Sequence, residues 1–230
     1  MNHEIDRHAS ATDGPPVVFV ADADLCVRHS LDALTGFGGW RTEGFACAQE
    51  LLERPRYAGP SCMVLDLDLP QLDGLALQRR IATDRREMPV VFVAGRADVP
   101  VAVEAMKAGA VDFLTKPVRH QSLLQAVEAS LSRSRATLSH ARTLHAAQAR
   151  HATLSRREQQ VMSLVVSGLL NKQIAGELGI SEITVKAHRG SVMRKMAARS
   201  LPALVDMARL LRDAGPPQPS AMNRSARAAS

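Results

Sequence analysis

The stretch PVVFVAGRADVPVAVEAMKAGAVDFLTKP, residues 89–117, contains two apolar runs separated by a segment with helical spacing. The runs at 89–93 and 111–114 have the length of strands, and they contain few polar residues. The segment between them repeats apolar side chains at helical intervals, at Val101, Val103, Ala105 and Met106. Strands this apolar are buried on both faces, which occurs where helical crossovers join parallel strands. The stretch therefore predicts a strand–helix–strand unit of a parallel sheet.

The same alternation extends towards the amino terminus. Apolar runs of strand length occur at 17–21 and 61–65, and a weaker candidate lies at 43–47. Five such units fit residues 17–132, which predicts an α/β domain with a doubly wound, parallel, five-stranded sheet.

Residues 123–152 contain no glycine or proline and predict one long helix. One seam of this helix has Ser134 in a core position and carries Leu124, Val127, Leu131, Leu138 and Ala141, with His145 next in line. The seam suggests a dimer contact or a stripe that docks on the second domain. A solvated linker helix is an equally good interpretation.

From Thr153 onwards every pattern is helical. Ser155 and Glu158 form a capping box that begins the first helix. Short helices over 172–178 and 181–196, joined by a turn with Gly179, give the helix-turn-helix pattern, and a fourth helix follows Ser200. The predicted divisions are a disordered segment 1–16, an α/β domain 17–132, a helical linker 133–152, an all-α four-helix domain 153–212 and a disordered tail 213–230.

The charge of the 230 residues is unevenly distributed. Residues 17–132 carry 12 basic and 15 acidic side chains, whereas residues 133–230 carry 16 and 5. This asymmetry indicates an anionic partner for the second half, a nucleic acid or a membrane surface. No apolar run reaches a membrane span, and the first residues lack the apolar core of a secretory signal. Three cysteines without a C-x-x-C pair argue against a disulfide framework or a zinc site.

The predicted helix 181–196 has an apolar face and a basic face. Lys186 and Arg189 stand in its amino-terminal half, where a helix in the major groove needs donors for phosphates and base edges. A helical bundle with a solvated basic face explains the composition as well.

The stretch NKQIAGELGISEITVKAHR, residues 171–189, resembles the LuxR-type helix-turn-helix of bacterial transcription regulators, and the resemblance covers about 151–212. It implies that the helix from Ser181 is the recognition helix, with Lys186 and Ala187 facing bases. Gly190 departs from the family, in which a long polar side chain is common at this position. The DNA-binding residues that the resemblance implies are Lys172, Ser181, Thr184, Lys186, Ala187, His188, Arg189, Arg194 and Lys195.

Acidic residues follow two of the predicted strands. Asp22 and Asp24 come after the first strand, Asp66 and Asp68 after the third, and Lys116 follows the last. Since the carboxyl ends of parallel strands share one edge, these side chains are expected to converge. Such carboxylates suit Mg²⁺, although a solvated acidic cluster is equally open from the residues alone.

MVLDLDLPQLDG, residues 63–74, and the stretch 89–117 resemble the receiver domain of two-component response regulators, which has a flavodoxin-like fold. The resemblance covers about 17–132 and implies that Asp66 is the phosphoacceptor, that Lys116 contacts the phosphoryl group and that Phe113 is the aromatic switch. Together the two domains resemble a NarL/FixJ-type response regulator, nearest the FixJ branch.

Two departures weaken the implied receiver site. Ala23 stands where the family has a direct metal ligand, so the expected Mg²⁺ ligands are Asp22, Asp66 and Asp68, with Asp24 as an alternative to Asp68. Ala94 stands where the family has the Ser or Thr whose hydroxyl couples the phosphoryl group to the switch.

The resemblance implies a cytoplasmic transcriptional regulator, not an enzyme, that a sensor histidine kinase phosphorylates on Asp66. It implies binding to promoter DNA as a homodimer, contact with RNA polymerase and no membrane partner. Two alternatives stay open: a phosphorylation-independent DNA-binding regulator whose pseudo-receiver is a dimerisation or interaction module, and a protein that titrates a kinase or a partner regulator.

Overall fold

A computed structural model describes residues 14–70, 72–96 and 98–214, and it divides the chain into two units, 1–139 and 140–230. The predicted disordered segments 1–16 and 213–230 lie almost entirely outside the described residues.

The first unit contains the five predicted strands. They are β1 (Val17–Ala21), β2 (Arg41–Phe45), β3 (Ser61–Asp66), β4 (Val90–Ala94) and β5 (Asp112–Thr115). All pairings are parallel, in the order β2-β1-β3-β4-β5. The predicted doubly wound, flavodoxin-like sheet is thereby confirmed. The helices that connect these strands are α1 (Leu25–Phe37), α2 (Ala48–Glu53), α3 (Gly74–Asp84) and α4 (Val99–Lys107).

Helices cover both faces of this sheet because successive side chains of a strand point in opposite directions. In β1, Phe19 packs with side chains of α2, α3 and α4, whereas Val18 and Val20 pack with Leu31 of α1. The second face is completed by α5 (His120–Ala152).

The structure gives the predicted seam of α5 a different role from a dimer contact. Val127 and Leu131 are buried in the core of the first unit, so they are not available for a dimer contact. Ser134, which interrupted the seam, is fully buried, and its Oγ accepts from the Ser61 N–H at 3.0 Å and donates to the Glu87 carbonyl at 2.5 Å. Residues 133–139 of the predicted linker belong to the first unit.

Up to residue 214, the second unit contains four helices after α5: α6 (Arg156–Val166), α7 (Asn171–Leu178), α8 (Glu182–Lys195) and α9 (Leu201–Asp213). The predicted capping box is present, with Ser155 accepting from the Glu158 N–H and Glu158 accepting from the Ser155 N–H. Gly179, at φ +64°, ends α7 in the left-handed conformation that glycine adopts without strain. Ser181 caps α8, which fixes the short turn between the two helices.

Candidate functional site

The carboxyl edge of the sheet brings together three of the predicted site residues. Asp22 follows β1, Asp66 ends β3 and Lys116 follows β5. Lys116 Nζ donates to Asp22 Oδ2 at 2.6 Å and to Asp66 Oδ2 at 3.1 Å. The carboxylate side chains are only 2% and 9% exposed. We call these three residues the acidic pocket. In it, two shielded carboxylates share hydrogen bonds from one ammonium group.

The electrostatics of the acidic pocket favour a charged lysine. Burial alone would lower the pKa of Lys116, but the hydrogen bonds from its ammonium group to Asp22 and Asp66 outweigh that effect and raise the pKa above 10.5. Lys116 is therefore a fixed cation beside the expected phosphoacceptor.

The two carboxylates considered as replacements for the missing metal ligand lie in different environments. Asp24 caps α1, its Oδ1 accepting from the Cys26 N–H at 2.8 Å. Asp68 is exposed, and its N–H lies 3.4 Å from Asp66 Oδ1. Among residues 14–70, 72–96 and 98–214, no group of three or more His, Cys, Asp or Glu side chains is arranged to hold a metal ion.

Arg28 is a neighbour of the acidic pocket that the sequence analysis missed. Its guanidinium Nη1 donates to the backbone carbonyls of Asp22 at 2.6 Å and Ala23 at 3.0 Å. The sequence could have indicated this neighbour, because Arg28 is a basic residue in the first turn of a helix that begins directly after Asp22 and Asp24. Its guanidinium places a second positive charge beside the acidic pocket, against the backbone carbonyls of Asp22 and Ala23.

The predicted switch residues lie on the neighbouring strands β4 and β5, two register positions apart. Ala94 is fully buried and pairs in register with Thr115, while Phe113 packs partly buried against Phe92 with ring centroids 6.0 Å apart. The methyl group of Ala94 has no hydrogen-bonding capacity, so a phosphoryl group on Asp66 has no hydroxyl donor at this position.

Helix α8 presents one face to solvent. Val185 and Val192 are buried in the core of the second unit, and the opposite side of the helix is exposed. We call this side the outer face of α8; its residues are Ile183, Lys186, Ala187, Gly190 and Arg194. Lys172, also exposed, is the second residue of α7.

Four of the expected DNA contacts have hydrogen-bond partners within the second unit. Lys195 Nζ donates to Glu158 Oε2 at 2.7 Å and to the Thr153 carbonyl at 3.2 Å. Arg189 Nη1 donates to Asn171 Oδ1 at 2.7 Å, which ties α8 to α7. The Ser181 and Thr184 hydroxyls lie 2.8 Å apart in the cap of α8, and His188 is half-buried. Of the two basic residues Lys186 and Arg189 in α8, Lys186 is exposed and is therefore the more available to a ligand.

Comparisons with known proteins assign a family to each of the two domains. Residues 18–128 match the response regulator receiver domain, and residues 152–208 match the bacterial regulatory proteins of the luxR family. Nodulation protein W of Bradyrhizobium diazoefficiens is 46% identical over 85% of this chain and 86% of its own length. The response regulator protein TodT of Pseudomonas putida is 40% identical over 90% of both chains. The solved structure of the response regulator StyR is 41% identical, covers 85% of this chain and 99% of its own, and superposes with a TM-score of 0.76.

A receiver-like sheet with a shielded acidic pocket, followed in one chain by a helix-turn-helix domain, defines a DNA-binding response regulator of a two-component system. Within that class, the chain belongs to the NarL/FixJ-type response regulators. In the described part of the chain, no helix is sufficiently long and apolar to cross a membrane.

Proposed function

We propose that Asp66 accepts a phosphoryl group from a sensor histidine kinase and that this modification controls binding of promoter DNA by the outer face of α8. The proposal depends on one observation, the convergence of Asp22, Asp66 and Lys116 at the carboxyl edge of the sheet. The protein would act in the cytoplasm, where promoter DNA and RNA polymerase are found, as a regulator and not as an enzyme.

The chemistry assigns separate roles to the three residues of the acidic pocket. An oxygen of Asp66 attacks phosphorus, the P–N bond to the kinase histidine breaks, and the imidazole keeps the electron pair and takes up a proton. Lys116 already contacts Asp66, so its ammonium group can neutralise a phosphoryl oxygen on that carboxylate without moving far. To do so fully it must give up part of its hydrogen bond to Asp22.

The residues present do not supply the metal site that receiver domains typically have. Ala23 has no ligand atom, Asp24 is engaged at the cap of α1, and Arg28 bonds the carbonyls on either side of that position. We therefore assign no step of phosphoryl transfer to Mg²⁺ and propose that any cation binding here is weak, with exposed Asp68 as the more available third carboxylate.

DNA recognition would be performed by two copies of the chain on paired half-sites. Lys186 on the outer face of α8 and exposed Lys172 are the proposed contacts to phosphates and base edges, and Arg194 extends the same face. Because a homodimer places two such faces on DNA, its affinity depends on dimerisation, which is the step that phosphorylation would control.

The test is to incubate the full-length protein with Mg²⁺ and a small phosphodonor and to record its intact mass. We expect an adduct of one phosphoryl group on the wild type and none on Asp66→Ala. A matched control, Asp68→Ala, keeps the acceptor and should still form the adduct. Equal labelling of wild type and Asp66→Ala would contradict the assignment of Asp66.

A second function, DNA binding without phosphate control, is favoured by the pairing of Lys116 with Asp22 and by the buried methyl group of Ala94. The missing hydroxyl removes about 1–3 kcal/mol of coupling from an equilibrium with a gap of similar size. This alternative predicts that beryllofluoride, a phosphoryl mimic, leaves DNA affinity unchanged, whereas the first function predicts tighter binding.

A further inference from the structure

Ile183 has an environment that folding does not explain. It is 83% exposed, more than any other large apolar side chain in residues 14–70, 72–96 and 98–214. It lies in the first turn of α8, where a β-branched side chain loses rotamer freedom and gains no burial in return. A polar residue would serve the fold at least as well at this position.

The neighbours of Ile183 on the outer face of α8 leave it accessible. Lys186 and Ala187, three and four residues further on, lie on the same side of the helix and are exposed. Gly190 continues this side, and a Cβ built there would meet no atom within 4 Å. At Ala187 and Gly190 the face therefore carries only a methyl group and a hydrogen atom, so the helix backbone can approach a surface closely at these positions.

The chemistry of this face matches the edges of base pairs. In the major groove the apolar group that a base presents is the 5-methyl group of thymine, and every other feature is a hydrogen-bond donor or acceptor. Ile183 offers a branched apolar side chain beside the cationic Lys186, so one face can meet a thymine methyl and an anionic phosphate or guanine edge. A second copy of the chain is a poorer occupant, because it would bring like charges at Lys186 together.

We propose that Ile183, assisted by the methyl group of Ala187, determines part of the operator sequence by contacting thymine methyl groups. The inference rests on the proposed placement of α8 in the major groove. Each half-site should then contain at least one thymine whose methyl group, and not its hydrogen-bonding edge, is recognised.

The experiment compares full-length wild type with Ile183→Ser on duplex DNA. A binding site is first selected from a random library with the wild type, and each thymine is then replaced in turn by deoxyuridine, which lacks only the methyl group. At one or two positions per half-site, we expect this replacement to weaken wild-type binding about fourfold, the factor that corresponds to burying one methyl-sized group. The same replacement should have no effect on Ile183→Ser.

The matched control is Leu170→Ser, which removes an apolar side chain that is 70% exposed and lies outside α8. It should retain the wild-type sensitivity to deoxyuridine. Since Ile183 is outside the core, Ile183→Ser should also keep the wild-type thermal unfolding midpoint, which separates lost recognition from lost folding.

Two failures of the experiment would be distinguishable. If a specific site is selected but its thymine methyls do not matter, or if they matter equally to Ile183→Ser, the role of Ile183 is refuted and the proposed function stands. If the wild type binds all duplexes equally, with only a steep dependence on salt, then sequence-specific recognition itself is refuted.

Discussion

The acidic pocket and the outer face of α8 both carry charged side chains, but their charges have different partners. In the acidic pocket, Lys116 is already bound to two shielded carboxylates within 3.1 Å. On the outer face of α8, Lys186 extends into solvent from a helix whose other side is core. A charge that is paired internally must change partner before it can respond to a ligand, whereas an exposed charge is available to any phosphate. The first arrangement suits a regulated site, and the second suits a binding surface.

The largest effect is expected from Lys116→Met, which removes the internal partner of Asp22 and Asp66. Asp22 and Asp66 would then face each other without a cation, and we expect the free energy of unfolding of the receiver to fall by about 2–3 kcal/mol at neutral pH. Chemical denaturation measures the loss. Lys116→Met combined with Asp22→Asn should recover at least half of it, because one of the two charges is gone. An unchanged midpoint for the single variant would show that the pairing contributes nothing to folding.

The second unit contains an internal pair of its own, and Glu158→Gln tests it. The hydrogen bond from the Lys195 ammonium group, followed by that from the Ser155 N–H, lowers the pKa of Glu158 from 4.5 to about 2. A carboxyl group with a lowered pKa in the folded state stabilises fully above its unfolded pKa. This stability is lost as the pH falls, here between about 4.5 and about 2.

We therefore expect urea midpoints of the second domain's transition to fall across that pH window in the wild type and to fall less in Glu158→Gln. Glu177→Gln, which changes an exposed glutamate on α7, is the matched control and should follow the wild type. A Glu158→Gln curve parallel to the wild type would contradict the lowered pKa.

The roles of Asp24 and Asp68 can be separated by a comparison of two alanine variants. Asp24→Ala removes the cap of α1 and should cost about 1 kcal/mol of stability, whereas Asp68→Ala removes an exposed side chain and should cost close to nothing. For Mg²⁺ affinity, followed by titration of the full-length protein, the order should reverse, with Asp68→Ala the weaker binder. The opposite order in the titration would assign the third carboxylate to Asp24.

The smallest expected effect comes from adding a charge to the outer face of α8. Gly190 has open space around it, so both Gly190→Gln and Gly190→Lys should stabilise the helix by about 0.5–1 kcal/mol. Only Gly190→Lys adds a cation, and it should increase the slope of log affinity against log salt by about one. Equal slopes for the two variants would place residue 190 away from the DNA backbone.

The fold was predictable where the polarity of the side chains reflects whether they are buried. The predicted run 17–21 coincides with β1, because every residue of that strand is buried and apolar. The candidate at 43–47 was displaced from β2, because Arg41 and Thr42 are exposed or half-exposed on an edge strand and carry no apolar signal. The capping residues Ser155, Ser181 and Ser200 were predictable because a cap is a local hydrogen bond.

Sequence reasoning was less successful where one residue has two physical roles. Lys195 has the charge and the position of a DNA contact, yet its partner Glu158 lies 37 residues away in the chain, and no local pattern links the two. Val127 and Leu131 have the spacing of a dimer seam because a helix packed on a sheet needs the same spacing. Arg28 was missed because it bonds backbone carbonyls, which every residue possesses.

The hydroxyl group of Ser134 has a consequence for dissecting the protein. It satisfies the N–H that begins β3 and the carbonyl of Glu87, which precedes β4. A receiver fragment that ended at residue 132 would expose both groups at the opposite end of the sheet from Asp66, and each lost bond would cost about 1 kcal/mol. An independently stable receiver fragment should therefore extend to at least Ser139, where the first unit ends.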